Sequence, residues 1–168
     1  MFGKTEGQGH DSNDEVERTW ELMEKIGFCM LTSLDGDKIR SRPMAAYVER
    51  SDNAIYFLTD ADSHKDEEVA ARPQVNLAFA DAGSQTYVSV TGRATVSNDR
   101  AKIAEIFSPA AKAWWSGPDD PAIRLLRVSP DDAQYWDNPG TVRSYIRMAA
   151  AAVSDSRPAL GDNAKVEL

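Results

Sequence analysis

From Phe28 to Trp136, strand signals follow one another at short intervals, with connections too brief for strand–helix–strand crossovers to dominate. This spacing constrains the fold more than any other feature of the chain. The run FCMLTSL (28–34) is nearly all apolar, and the DGD that follows at 35–37 is a tight hairpin turn. Residues 38–50 read as one long second strand, which turns at Ser51, Asp52 and Asn53 into the strand 54–59. A short helix from Ser63 to Ala71 is stopped by Pro73. Strands at 75–80 and 86–96 come next, joined by a turn around Asp81, Ala82 and Gly83. Asn98 or Asp99 caps a helix running to Phe107, and Pro109 interrupts it before the run AAKAWW. Residues 122–136 form a last long strand with a bulge at Ser129 and Pro130.

Two longer helical patterns flank this region. Ser12 with Glu15 three residues on is a capping box, and Val16, Thr19, Trp20, Met23 and Ile26 recur at helical spacing, so a first helix spans 13–26 and ends at Gly27. Val142, Tyr145, Ile146, Ala149, Ala150 and Val153 share one face of a helix over 140–153. The Gly-rich residues 1–11 read as a flexible leader and 154–168 as a flexible tail, leaving 12–153 as a single domain. Six or seven strands in hairpin order, with few helices, predict a mainly β fold: a small antiparallel barrel with peripheral helices. A doubly wound parallel sheet does not fit.

Composition narrows the function. Against 19 Lys and Arg stand 27 Asp and Glu, a formal net charge of -8, so nucleic acid and anionic membranes are poor partners. No apolar run approaches the roughly 18 residues of a membrane span, and the first residues lack a signal-peptide core. The single cysteine, Cys29, has no partner for an intramolecular disulfide. A cytoplasmic protein is the expectation.

In an acidic chain, a local basic cluster needs its own explanation. Arg40 and Arg42 alternate with Ser41 and so project to one face of a strand, next to Pro43, whose missing N–H implies an edge or interrupted position. Such an interruption leaves backbone groups free to hydrogen-bond a flat heterocycle. At the end of the next strand, Thr59 precedes Ser63, a good N-cap, and Lys65, a cation in a first helical turn where an anion would be preferred. Hydroxyls, a lysine and two arginines at this spacing suit a phosphate-bearing ligand. A surface loop with a solvated lysine is the plainer alternative. Trp20 fits the core. Trp114, Trp115 and Trp136 suit either the wall of a ring-shaped ligand or a dimer interface, and the two roles are compatible. His10 and His64 have no Cys or His at metal-ligand spacing, so no metal site is expected. Cys29 sits inside an apolar strand and reads as core.

The order of these pieces, GFCMLTSLDGDKIRSRPMAA, YFLTDADSHK, NLAFAD, YVSVTGRATV and YWD, resembles the FMN-binding split-barrel superfamily related to pyridoxamine 5′-phosphate oxidase, and within it the general stress protein 26 branch. The resemblance covers residues 14–150, and RSRPM with SHK is its most specific part. It implies a homodimer with FMN at the subunit interface. Arg40, Ser41, Arg42, Pro43 and Met44 would then lie along the isoalloxazine, Leu58 and Thr59 would border the ring and ribityl chain, and Ser63, His64 and Lys65 would hold the phosphate. Trp136 would reach the cofactor of the other subunit, and Trp114 or Trp115 would line the open side. Tyr87 stands where family oxidases often carry glutamine, a departure.

The Arg-x-His substrate motif of the true oxidases is missing after Trp136; Arg143 and Arg147 do not reproduce it, which argues against oxidation of pyridoxamine phosphate. An FMN-dependent oxidoreductase and a flavin-binding stress or sensor protein without turnover both remain open. So does a relative that binds deazaflavin or haem, for which His64 would be the one placed axial histidine. The electron donor or acceptor is not legible.

Overall fold

The periodic apolar stripe of the N-terminal region folds as expected into helix α1 (Ser12–Ile26), which buries Thr19, Trp20, Leu22 and Met23. Its helix begins at Ser12 itself. Gly27 ends it in the left-handed region (φ +68°), its N–H returning to the Met23 carbonyl at 2.9 Å. In this computed structural model the described residues are 12–63, 65–138 and 162–168. The leader 1–11 and the expected helix over 140–153 lie outside them.

Among the described residues eight strands follow: β1 (Phe28–Asp35), β2 (Lys38–Ala45), β3 (Tyr47–Glu49), β4 (Ala54–Asp60), β5 (Gln74–Asp81), β6 (Thr86–Ser97), β7 (Ile123–Asp137) and β8 (Asp162–Glu167). Helix α2 (Lys65–Ala71) joins β4 to β5, and α3 (Arg100–Ile106) follows β6 with Asp99 as its N-cap, accepting from the Lys102 N–H. Every ladder is antiparallel, in the order β2-β1-β5-β6-β7-β4-β3, with β8 on β7. The sheet is that of a mainly antiparallel, split-barrel-like fold. Among the described residues no helix is long and apolar enough to cross a membrane.

Two strands depart from the sequence reading. The stretch 38–50 breaks at Ala46, whose N–H turns aside to the Gly27 carbonyl at 2.9 Å, and so becomes β2 and β3. Residues 162–167, expected in a loose tail, pair with β7 from Asp132 to Asp137. Val166 is buried there and Leu168 packs on the core, while Asn163 accepts from the Gln134 amide at 3.0 Å. The bulge in β7 falls just past the expected Ser129 and Pro130, which are both paired: Thr91 faces Asp132 but Gly92 faces Pro130, leaving Asp131 as the extra residue. Gly92 is required there, since a Cβ would lie 2.6 Å from the Ser129 carbonyl oxygen.

Strand β4 is buried along residues 54–59 on both faces. Ile55 and Phe57 join the main core with Trp20, Met23, Leu31, Leu77, Phe79, Val90 and Leu126. Ala54, Tyr56 and Leu58 join a second cluster with Ile103, Ile106, Ala111, Ile123 and Leu125. An ionic network pins α3 beside that cluster. Lys102 Nζ lies 2.9 Å from Asp52 and 3.1 Å from Glu105 and sits over the Tyr56 ring, whose hydroxyl donates to Asp52. Lys102, first of all, and then Tyr56 hold the Asp52 carboxyl below the usual carboxylate range.

Candidate functional site

The barrel is left open between β2 and β4. Strand β2 has a ladder partner on one side only, β1, and β3 runs along β4 no further than Tyr56, which faces Tyr47. The edge expected at Pro43 is therefore real: Pro43 lies opposite Met30 and faces this seam. A cavity of about 400 Å³ occupies it, within the size range of small-molecule sites. Pro43, Met44, Ala45 and Phe28 form one wall, Tyr47 and Leu58 another, and Ala110, Ala111, Trp114 and Trp115 a third. No charged side chain is among them.

The third wall is built by a short 3-10 turn at Pro109–Ala113, and the N–H groups of Trp114 and Trp115 both return to the Ala111 carbonyl. Asp120 then fixes the following turn by accepting from the backbone N–H groups of Ala122 and Ser116 and from the Ser116 hydroxyl. Those bonds, led by Ala122, hold its carboxyl below the ordinary range. Trp114 is 81% exposed, whereas Trp115 is half-buried and donates its indole N–H to the Asp60 carboxylate at 3.3 Å. Both tryptophans border the cavity, although they cannot point the same way.

The hydroxyl loop adjoins the end of β4. Thr59, buried, and Ser63 share a hydrogen bond at 3.2 Å. The Ser63 hydroxyl, read from sequence as a cap, donates back to the Asp60 carbonyl at 2.7 Å within a 3-10 turn. Lys65 is the first residue of α2, and His64 lies outside the described residues. Asp60 thus touches both regions, Ser63 through its carbonyl and Trp115 through its carboxylate.

Arg40 and Arg42 project to one face as the alternation requires, opposite Ser33 and Leu31. Each already has a carboxylate. Arg42 donates to Glu68 of α2 at 3.1 Å, where the Ser33 hydroxyl also donates at 3.2 Å, and Arg40 donates to Asp35 at 3.1 Å. The Arg42–Glu68 pair is the better shielded, with side chains 24% and 13% exposed. Ser41 and Pro43 turn to the opposite face, Ser41 bonding Thr32 at 2.7 Å.

Tyr87 and Trp136 stand apart from the cavity lining. They face each other across the β6–β7 ladder, on the outer side of the sheet. With Phe28 and Met30 they leave several large apolar side chains exposed on that side.

The cavity therefore unites Pro43, Met44, Leu58, Trp114 and Trp115, and leaves Tyr87 and Trp136 to the outer sheet. Sequence reasoning missed Phe28, Ala45, Tyr47, Ala110 and Ala111 in the lining, and Asp60 and Glu68 as partners. Ala110 and Ala111 lie one turn before the tryptophan pair, which was a usable signal; the Asp60–Trp115 contact spans 55 residues and had none. Cys29 is buried, which pushes its thiol up to about 12 and makes it inert. Among the described residues no group of three His, Cys, Asp or Glu side chains could hold a metal.

Comparison with known proteins follows the same line. The family model described as "Pyridoxamine 5'-phosphate oxidase like" matches residues 14–159. General stress protein 26 of Bacillus subtilis (strain 168) is 31% identical over 125 residues, 73% of this chain and 88% of that protein. A crystal structure assigned as general stress protein 26 from Jannaschia sp. CCS1 superposes with a TM-score of 0.77 at 27% identity, covering 94% of this chain and all of that one. The general stress FMN/FAD binding protein of Xanthomonas citri superposes with a TM-score of 0.67 at 30% identity, covering 77% of this chain and 92% of that one.

Proposed function

This chain belongs to the pyridoxamine 5′-phosphate oxidase-like family, and we propose that it is an FMN-binding oxidoreductase of the cytoplasm, acting as a homodimer with the cofactor at the subunit interface. One observation carries the reading: an uncharged cavity at the open seam between β2 and β4, adjoining a hydroxyl-bearing loop. A flavin needs both an apolar slot for its ring and polar groups for its phosphate. Pro43, Met44 and Leu58 would border the ring, and the edge of β2 offers backbone groups to its heteroatoms. Thr59, Ser63, His64 and Lys65 would hold the phosphate, with Arg40, Ser41 and Arg42 along the strand that leads there. The flavin binding of the Xanthomonas citri relative supports the same assignment.

When bound, FMN supplies the redox chemistry; this chain's residues bind it, orient it and exclude water. The apolar outer face around Phe28, Met30, Tyr87 and Trp136 suits a self-complementary interface, through which Trp136 would reach the partner's cofactor. A flavin-binding stress protein without turnover is the second reading. It is favoured by the absence of any acid or base but Tyr47 from the described cavity lining.

The test is a visible absorption titration with FMN, followed by a sizing column. Shifted flavin bands eluting with a dimer at one FMN per subunit are expected. FMN passing through unbound while the protein is folded sinks the reading. Steady-state NAD(P)H oxidation by the loaded protein then separates turnover from storage.

A further inference from the structure

The third wall of the seam cavity has a chemistry of its own. Trp114 presents an almost fully exposed indole, and Trp115 has its N–H taken by Asp60, so what it offers the cavity is ring surface. The Tyr47 hydroxyl is engaged with Ser108 at 3.2 Å. The nearby guanidinium groups are turned to carboxylates, Arg42 to Glu68 and Arg40 to Asp35. Among the described lining residues, an entering molecule therefore meets aromatic faces and aliphatic walls and no charged donor. Aromatic faces attract flat rings, whereas an anion moved into such a lining loses its hydration without compensation.

We propose that the Trp114–Trp115 side of the cavity receives an uncharged, planar ring compound and rejects the anionic form of the same ring. The inference deepens the flavin reading and rests on it: Pro43, Met44 and Leu58 would border the flavin ring and leave the tryptophan side to the second reactant.

The experiment is equilibrium dialysis of the FMN-loaded full chain against 2-naphthol and, separately, naphthalene-2-sulfonate. The two probes share a ring and differ in charge at neutral pH. The neutral probe is expected to bind about ten-fold or more tightly than the sulfonate. Trp114→Ala should weaken 2-naphthol by roughly three- to ten-fold, and Trp114→Phe should restore most of the loss. Trp114 is too exposed for either change to unfold the protein. Equal affinity for both probes, or binding of neither by protein that has taken up FMN, overturns this inference and leaves the flavin reading standing. Failure to take up FMN in the parallel absorption titration overturns the flavin reading itself, and the inference with it.

Discussion

Both faces of β4 are buried, yet Ile55 and Phe57 meet a closed core while Tyr56 and Leu58 meet a cluster that opens into the seam cavity. One strand thus serves as a wall of the fold on one face and as a wall of the site on the other. The small residual exposure of Tyr56 and Leu58 reflects an opposing layer that is incomplete. On the inner face α1, β1, β5 and β6 close over the side chains. On the outer face α3 covers Tyr56, and beyond it the short 3-10 turn with Trp114 and Trp115 only partly covers Leu58.

The sharpest way to break this contrast is to truncate both faces. Phe57→Ala should cost about 3–5 kcal/mol of stability, the usual penalty for a large cavity in a packed core, and chemical denaturation measures it. Leu58→Ala should cost less, about 2–3 kcal/mol, because one side of Leu58 already faces open space. It should also alter FMN affinity, which Phe57→Ala should leave unchanged in the folded fraction. Equal stability losses with unaltered FMN binding in both variants would dissolve the distinction.

Lys65→Ala sharpens the contrast at the loop that follows Thr59. A charge-assisted contact to phosphate contributes about 1.5–3 kcal/mol, so FMN binding should weaken roughly ten-fold or more with little loss of stability. Equal FMN affinity in the variant and wild type removes Lys65 from the site. The smallest effect concerns the turn that carries the tryptophan pair. Asp120 has a carboxyl held below its ordinary value, so its hydrogen bonds stabilise the turn above that ordinary value and are lost as pH falls below it. Tryptophan emission should stay constant from pH 7 to 5 and change only below about pH 4. Asp120→Asn should abolish that acid change; its persistence would place the titrating group elsewhere.

Much of the fold was legible because local and global preferences agree. The stripe through Trp20 and Met23, the turn at Asp35–Asp37 and the alternation of 86–96 each specify one answer. Strand β8 was not legible because DNAKVE carries one large apolar residue, Val166, and forms only when β7 provides an edge. The break at Ala46 has the same origin: a single hydrogen bond to Gly27, set by the fold. In the site, Pro43, Met44, Leu58 and the tryptophans were visible as types at suggestive spacings. The carboxylates on Arg40 and Arg42 were not, because Asp35 lies across a hairpin turn and Glu68 comes from a helix 26 residues away.

The pairing of β8 with β7 carries a consequence for how such a chain can change. Asp162 lies directly opposite Asp137, so residues 138–161 begin and end at one point of the sheet. A change at Val166, which packs in the same core as Phe57 and Leu126, reaches the strand that walls the cavity without touching any residue that lines it.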